Sequence, residues 1–378
     1  NLTAMMVTPF LFVFAIFLYV KFRQGGKIYK PHYIVLGLLL GIILAAFYWL
    51  PALLEMKLTD VLSVVGGGSD YKDHFVCLPQ LWSSPWGFGG SVRGCVDGLS
   101  FKIGKLHILF GLGSLLTLFT LFKKEKDKFQ VSLLFIIFLV SSVFLTLEQS
   151  KFIWDLIPHM AFFQFPWRFL ILVSFFLSFL GGSVFWFLEN INFSKKFSGY
   201  FYWLICAAAV IAIIFLNNSL FAPQKIIDAK SDDYTNKTVL NWKVSKISDE
   251  YMPKGFFKPL RPIDVPRNIV ETSKKNFKIL SLNKKTQQIS FIVDEGSETT
   301  IYINIAYFPG WHVFVDGKQV WFKYSGQGLI LDLSKGKHEI YLKFIQTPVE
   351  KAGNVISIAG VIMLIAGIIS HRKRIFYG

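Results

Sequence analysis

Seven stretches of this chain, 2–20, 33–50, 106–122, 129–147, 167–188, 201–217 and 353–370, are apolar over 17 or more residues. A helix needs roughly 17–25 such residues to cross about 30 Å of hydrocarbon. A single segment can satisfy its own backbone hydrogen bonds in lipid only as a helix. The expected fold class is therefore an α-helical multi-pass membrane protein with about seven transmembrane helices. Composition agrees: the chain is 53% hydrophobic, with 40 Phe among 378 residues.

The short connections set the expected orientation. Segments 21–32, 123–128, 189–199 and 371–378 hold thirteen Lys/Arg, including Lys27, Lys30, Lys195 and Lys196 and the run Arg372-Lys373-Arg374. The longer segments 51–105 and 148–166 hold six. The positive-inside rule then puts the first set in the cytoplasm and the second outside. Segment 218–352 follows to the outside, since long domains cross largely regardless of charge. The carboxy terminus is expected in the cytoplasm. The chain opens at Asn1 without a basic region ahead of its apolar run, and is expected to be a piece of a longer protein.

A net charge of +16 raises nucleic acid as a partner. The basic residues are instead spread over membrane-flanking loops, with no nucleic-acid motif, so that class is set aside. Cys206 sits in an apolar helix and reads as packing. Cys77 and Cys95 share one outer loop, where a disulfide and two unpaired thiols are both open.

Four parts are expected along the chain. Residues 1–217 form the helical membrane region, with outer loops 51–105 and 148–166. Residues 218–275 are irregular, because Pro223, Pro253, Pro259, Pro262 and Pro266 block long elements. Residues 276–352 give short β-rich runs at 276–282, 286–293, 299–307, 311–316, 319–324, 328–333 and 337–346. They read as an extracytoplasmic β-sandwich or jelly roll. Asp316-Gly317 between two such runs predicts a tight hairpin. Residues 353–378 are the last helix and a basic tail.

Three constellations could carry chemistry. Arg168, in Gln164-Phe165-Pro166-Trp167-Arg168-Phe169, opens an apolar run at a membrane boundary. It either snorkels within an aromatic belt or meets an anion at the membrane face, with Lys151 and His159 of the amphipathic stretch 149–159 as helpers. The loop 51–105 offers a cleft from Glu55, Asp70, Asp73, His74, Gln80, Trp86 and Arg93. Its carboxylates, with Asp60 and Asp97, could be a general base, a metal ligand or simply solvated; no spacing defines a metal site. On the β-region, Trp311, Phe314, Trp321 and Tyr324 could stack sugars or fill the core.

Three strings add a resemblance: Tyr48-Trp49-Leu50-Pro51-Ala52-Leu53-Leu54-Glu55, then Gln80-Leu81-Trp82-Ser83-Ser84-Pro85-Trp86-Gly87, then Gln164 to Phe169. In this order they resemble the bacterial multi-pass membrane family labelled 6-pyruvoyl-tetrahydropterin synthase-related, itself similar to the C-type glycosyltransferases. Pro309-Gly310-Trp311-His312-Val313-Phe314-Val315-Asp316-Gly317-Lys318 is similar to the carboxy-terminal β-domain of related membrane proteins. The resemblance implies inverting transfer of a sugar from a polyprenyl-phosphate carrier to an extracytoplasmic glycan or protein, with Arg168 at the leaving phosphate. It implies a place in the bacterial cytoplasmic membrane and a catalytic aspartate upstream of residue 1, so none is assigned here. A divalent metal is compatible with this class, and no cofactor is identified. Two rivals are a lipid-linked sugar transporter, which would need charges in mid-span, and a non-catalytic protein whose outer domain binds carbohydrate.

Overall fold

A computed structural model describes residues 2–24, 32–66, 69–87, 89–190, 198–223, 226–244, 252–274, 277–326 and 328–376. Lys27, Lys30, Lys195 and Lys196, on which part of the expected orientation rests, lie outside the described residues. The helices are α1 (Leu2–Gln24), α2 (His32–Leu44), α3 (Ala46–Leu54), α4 (Leu78–Trp82), α5 (Lys105–Lys124), α6 (Lys126–Thr146), α7 (Lys151–Leu156), α8 (Leu170–Asn190), α9 (Ser198–Asn217), α10 (Asp232–Thr235), α11 (Lys237–Val244) and α12 (Pro348–Phe376). By length and composition α1, α5, α6, α8, α9 and α12 can each cross a membrane. The chain is a multi-pass membrane protein. By contact it forms two units, residues 1–29 with 64–228 and residues 30–63 with 229–378.

In the first unit α5, α6 and α8 pack on one another, and α1 adds an aromatic seam to α6 and α8. Phe10 meets Phe138 edge-on at 5.2 Å, and Phe135 meets Phe176 the same way at 5.5 Å. Such edge-to-face pairs bring a ring's positive rim to its neighbour's negative face, and each adds about 0.5–1.5 kcal/mol beyond area burial.

The second unit corrects one expected span. Residues 33–50 do not make one helix: the chain bends by 64° between α2 and α3, around Ala45. A bend frees backbone groups that lipid cannot hydrogen-bond. The chain supplies their partners. The Trp49 indole donates to the Ile42 carbonyl at 2.9 Å, and the Ser357 hydroxyl of α12 donates to the Ile43 carbonyl at 3.3 Å. The same hydroxyl accepts the Phe47 N–H at 2.8 Å. Helix α12 comes this close because Gly353 has no side chain; a Cβ there would lie 2.9 Å from the Ala46 carbonyl oxygen.

The rest of this unit is an antiparallel β-region with strands β1 (Val270–Thr272), β2 (Ile279–Lys285), β3 (Gln288–Glu295), β4 (Thr299–Ile303), β5 (Trp311–Val315), β6 (Lys318–Val320), β7 (Lys323–Ser325), β8 (Gly328–Leu333) and β9 (Gly336–Phe344). They form two sheets, β1-β4-β8-β7 and β2-β3-β9-β5-β6. Alternate residues from both, among them Phe291, Val293, Ile301, Ile303, Val313, Leu329 and Leu342, share one core. The expected strand 319–324 divides instead. Its first part pairs with β5 and its second with β8, so the chain passes from one sheet to the other at Trp321-Phe322. The segment before β1 is less irregular than its prolines suggest, since it carries the short helices α10 and α11.

The hairpin β5–β6 turns at Asp316-Gly317, with φ of +50° and +76°. Two positive φ values match the right-handed strand twist, and Asp and Gly tolerate them. Asp316 also binds across to β9: Oδ1 accepts the Glu339 N–H at 2.9 Å, and Oδ2 lies 2.7 Å from His338 Nδ1. The Glu339 N–H, then His338, hold this carboxyl below the usual carboxylate range. A depressed folded-state pKa contributes stability that is present above the unfolded value and lost as pH falls through the folded one. Asp316→Asn keeps the turn geometry and removes the charge. It is expected to cost about 1 kcal/mol at neutral pH, less than a buried charged hydrogen bond because the group is half-exposed. Hydrogen exchange over residues 311–344 checks this, and the difference from wild type should close as pH drops below the carboxylate range.

Candidate functional site: a cationic cleft at the start of α8

Ahead of α8 the chain makes a turn that a membrane helix does not need. Gln164 has φ +60° and ψ −48°, and the Phe165 N–H bonds the Phe163 carbonyl at 2.5 Å across it. This three-residue γ-turn with positive φ is rare and strained for a side-chain-bearing residue, and persists only where its surroundings enforce it. Pro166 then fixes φ at the first position of a 3-10 turn, Pro166–Phe169.

Arg168 is the enforcing residue. Its Nη1 donates to the Phe163 carbonyl at 2.9 Å and to Gln164 Oε1 at 3.0 Å, and the guanidinium lies over the Phe165 ring at 4.8 Å. Half-buried and folded back on its own turn, it is held by protein groups. Phe165 stacks on Trp167 at 5.3 Å, and the Trp167 indole donates to Ser91 Oγ at 3.1 Å. Ser91 in turn sits 2.7 Å from Nδ1 of buried His74, whose ring packs against Phe165.

That ladder ties the turn to the loop before α5. The loop is closed by a disulfide between Cys77 and Cys95, with Cα atoms 5.5 Å apart. Buried Gln80 accepts the Cys77 N–H at 2.8 Å and donates to Asp97 Oδ2 at 2.6 Å; Asp97 Oδ1 accepts the Val92 N–H. Gly89 and Gly98 cross so closely that a Cβ on either would lie 2.7 Å from the other's Cα. The crossing delivers Leu99-Ser100-Phe101-Lys102-Ile103 as an extended stretch. Phe101 is buried, and Leu99 and Ile103 pack in the same cluster as Trp167. Ser100 and Lys102 stand between them, and all of Leu99 to Lys102 reach one cleft.

This cleft, of about 670 Å³, is also lined by Arg168, with Thr3 and Met6 of α1 and Ile171 and Ser174 of α8. Among the described residues its lining holds two cations and no carboxylate. The Ser100 hydroxyl is buried with no hydrogen-bond partner among those residues. Guanidinium, ammonium and hydroxyl donors converging on one cleft suit an anion with several acceptor oxygens, above all a phosphate.

The other expected residues are placed differently. Lys151 and His159 are exposed and do not line the cleft. The stretch that carries them is not a free interfacial helix: α7 has six residues and drives Trp154, 1% exposed, into a cluster with Tyr71, Phe75, Phe163 and Phe169. Tyr71 stacks on Trp154 and donates to Asp155 at 2.5 Å. Burial first, then the Asp155 hydrogen bond and charge, push its phenol well above the ordinary value. Asp70 caps the turn Tyr71–Asp73 by accepting the Lys72 N–H, and Asp73 lies within that turn. Trp86 is half-buried on the loop and Arg93 is exposed. Glu55 ends α3 in the second unit, where its N–H bonds the Pro51 carbonyl. Among the described residues no three His, Cys, Asp or Glu could together hold a metal ion. Lys102 and Ser100 are the residues the sequence reading missed; the apolar-polar alternation of 99–103 is the signal that would have marked them.

On the β-region the aromatics divide. Trp311 packs edge-on to Phe344 and Phe314 lies against Tyr341, while Tyr324, exposed, stacks on Tyr307 at 3.9 Å and Trp321 is 99% exposed.

Fold and cleft define a multi-pass membrane protein with an antiparallel β-region before its last helix. Residues 265–357, roughly a quarter of the chain, are similar to the family described as "Bacterial membrane protein YfhO". The similarity covers β1 to β9 and the first turns of α12, and lends nothing to the pterin-synthase-related label. No curated protein and no solved structure matches the chain.

The disulfide closes a loop of sequence separation 18, for which chain entropy gives about 3 kcal/mol. Cys77→Ser is expected to lower the thermal unfolding midpoint of the detergent-purified protein. It should also speed proteolysis between residues 83 and 99, whereas Cys206→Ser should change neither.

Proposed function

We propose that this protein is a membrane glycosyltransferase that moves a sugar from a polyprenyl-phosphate carrier to an extracytoplasmic glycan or protein. The observation that carries the reading is the cleft of Arg168, Lys102 and Ser100. It joins phosphate-binding donors to apolar walls from α1 and α8, the mixture that a phosphate on an isoprenoid chain requires. A free anion would not need Met6 or Ile171. The resemblance of the three motifs to C-type glycosyltransferases supports the same chemistry. The β-region, read as a sandwich, and the loop 51–105 face outside in this reading, and the carboxy terminus faces the cytoplasm.

In the proposed reaction a base takes the proton of the acceptor hydroxyl. The oxygen attacks the anomeric carbon from the side opposite the carrier, and the bond from that carbon to the phosphate oxygen breaks with inversion. The carrier phosphate leaves with the electron pair. Its new charge is largest in the transition state and after it, so Arg168 and Lys102 stabilise departure more than they stabilise the bound donor. No residue of this chain is assigned as the base. A transporter would use its broken helix to open a path, but the groups freed at Ala45 are already bonded to Trp49 and Ser357.

Charge-assisted hydrogen bonds are worth roughly 1.5–3 kcal/mol, so losing one costs tenfold or more in affinity. Native mass spectrometry of the purified protein with a polyprenyl phosphate is expected to show retained lipid. Arg168→Ala and Lys102→Ala should each lower it by about tenfold, and Lys151→Ala should not. Equal retention in all four proteins would return Arg168 to a structural role in its turn.

A further inference from the structure

The outer face of the four-stranded sheet carries a second candidate site. Register places Val270, Ile301, Ile303, Leu329 and Leu331 inward, and sets Glu271, Tyr302, Ile330 and Lys323 in a row on the opposite face. Residues from all four strands and their ends line a hollow of about 250 Å³, among them Glu271, Ser273, Tyr302, Asn304, Ser325 and Gly328. Tyr302 is 43% exposed there.

Its polar groups are fixed from behind. One oxygen of Glu271 accepts the N–H groups of Arg267 and Asn268, at 3.1 and 3.3 Å. Asn304 donates from its side chain to the Asn268 carbonyl at 2.8 Å and from its backbone to the Ile269 carbonyl at 2.7 Å. The turn 267–269 therefore presets a carboxylate and an amide beside an open aromatic ring. Held in place, such groups lose little freedom when a ligand binds.

Size and charge narrow the ligand. The hollow is smaller than the roughly 300–1,000 Å³ of pockets that take drug-sized molecules, and fits a single ring. Among the described residues its one charged lining residue is acidic, which disfavours phosphates and uronic acids. An aromatic face, a carboxylate, an amide and hydroxyls match the apolar ring face and polyhydroxyl rim of a sugar. Glu271 and Asn304 also wall a neighbouring cavity of about 570 Å³ that includes Lys258, Pro259 and Arg267, so an oligosaccharide could continue past them.

We infer that this hollow binds a neutral or amino pyranose, with its ring stacked on Tyr302 and its hydroxyls bonded by Glu271 and Asn304. Binding here does not depend on the transfer reaction and is tested without it. The full-length protein is placed in phospholipid nanodiscs, which avoids sugar-headed detergents. Saturation-transfer NMR is then recorded with the methyl pyranosides of glucose, galactose, mannose, N-acetylglucosamine and glucosamine. Ring-proton saturation is expected for at least one of them. It should fall roughly fivefold in Tyr302→Ala, stay near wild type in Tyr302→Phe, and vanish in Ser273→Trp, which fills the hollow. No saturation of any pyranoside by the wild-type protein, or equal signals in Tyr302→Ala, would overturn the inference. Tyr302 and Ser273 lie at the surface, and thermal unfolding of each variant separates loss of binding from loss of fold.

Discussion

A backbone N–H or carbonyl that enters hydrocarbon has no water to bond, so each departure from a straight helix must be answered by the protein itself. Two departures organise this chain. At Ala45 the answer is a hydroxyl from Ser357 and an indole from Trp49. At Gln164 it is the Arg168 guanidinium, which adds a second bond to the Phe163 carbonyl that closes the γ-turn. The first is a closed structural device, with every named group matched to a partner from the same unit. The second puts a permanent charge on the wall of a cleft.

The difference follows from what surrounds each turn. Helices α2, α3 and α12 meet at the Ala45 bend across a glycine-lined contact. Around Arg168 the neighbours are a stack of rings, a hydroxyl bridge from Ser91 and a loop locked by the Cys77–Cys95 bond. Such rigidity is costly to build, and more than an interfacial anchor requires. It does suit a site in which donors must stand ready before charge develops, because preorganised groups need no rearrangement at the moment of reaction. Strain at Gln164 fits the same account: it sets the direction of Arg168, and the buried ladder beside it maintains it.

Much of this was legible in the sequence, and the failures have physical causes. Membrane spans are written locally, in runs of apolar residues, and six of the expected helices stand as read. The bend in the seventh depends on a hydroxyl 310 positions away, which no local pattern reveals. The Asp316-Gly317 turn was readable because positive φ restricts residue choice. The crossing at Trp321-Phe322 was not, since each half of 319–324 looks like strand whichever sheet it joins. Arg168 announced itself by standing at a membrane boundary. Lys151 and His159 are its near neighbours in sequence, whereas Lys102 reaches the cleft through the disulfide loop and a glycine crossing. Trp154, Met160 and Phe163 take the inward positions of the nearer segment and leave its charged residues at the surface.

The central claim is that Arg168 and Lys102 together hold the phosphate of a lipid carrier. Its most direct test is a cryo-electron microscopy map of the full-length protein with bound polyprenyl phosphate. The account predicts phosphate density within hydrogen-bonding distance of both side chains, with the isoprenoid leaving along α1 and α8. Ordered lipid phosphate elsewhere on the protein, with this cleft empty, would contradict it.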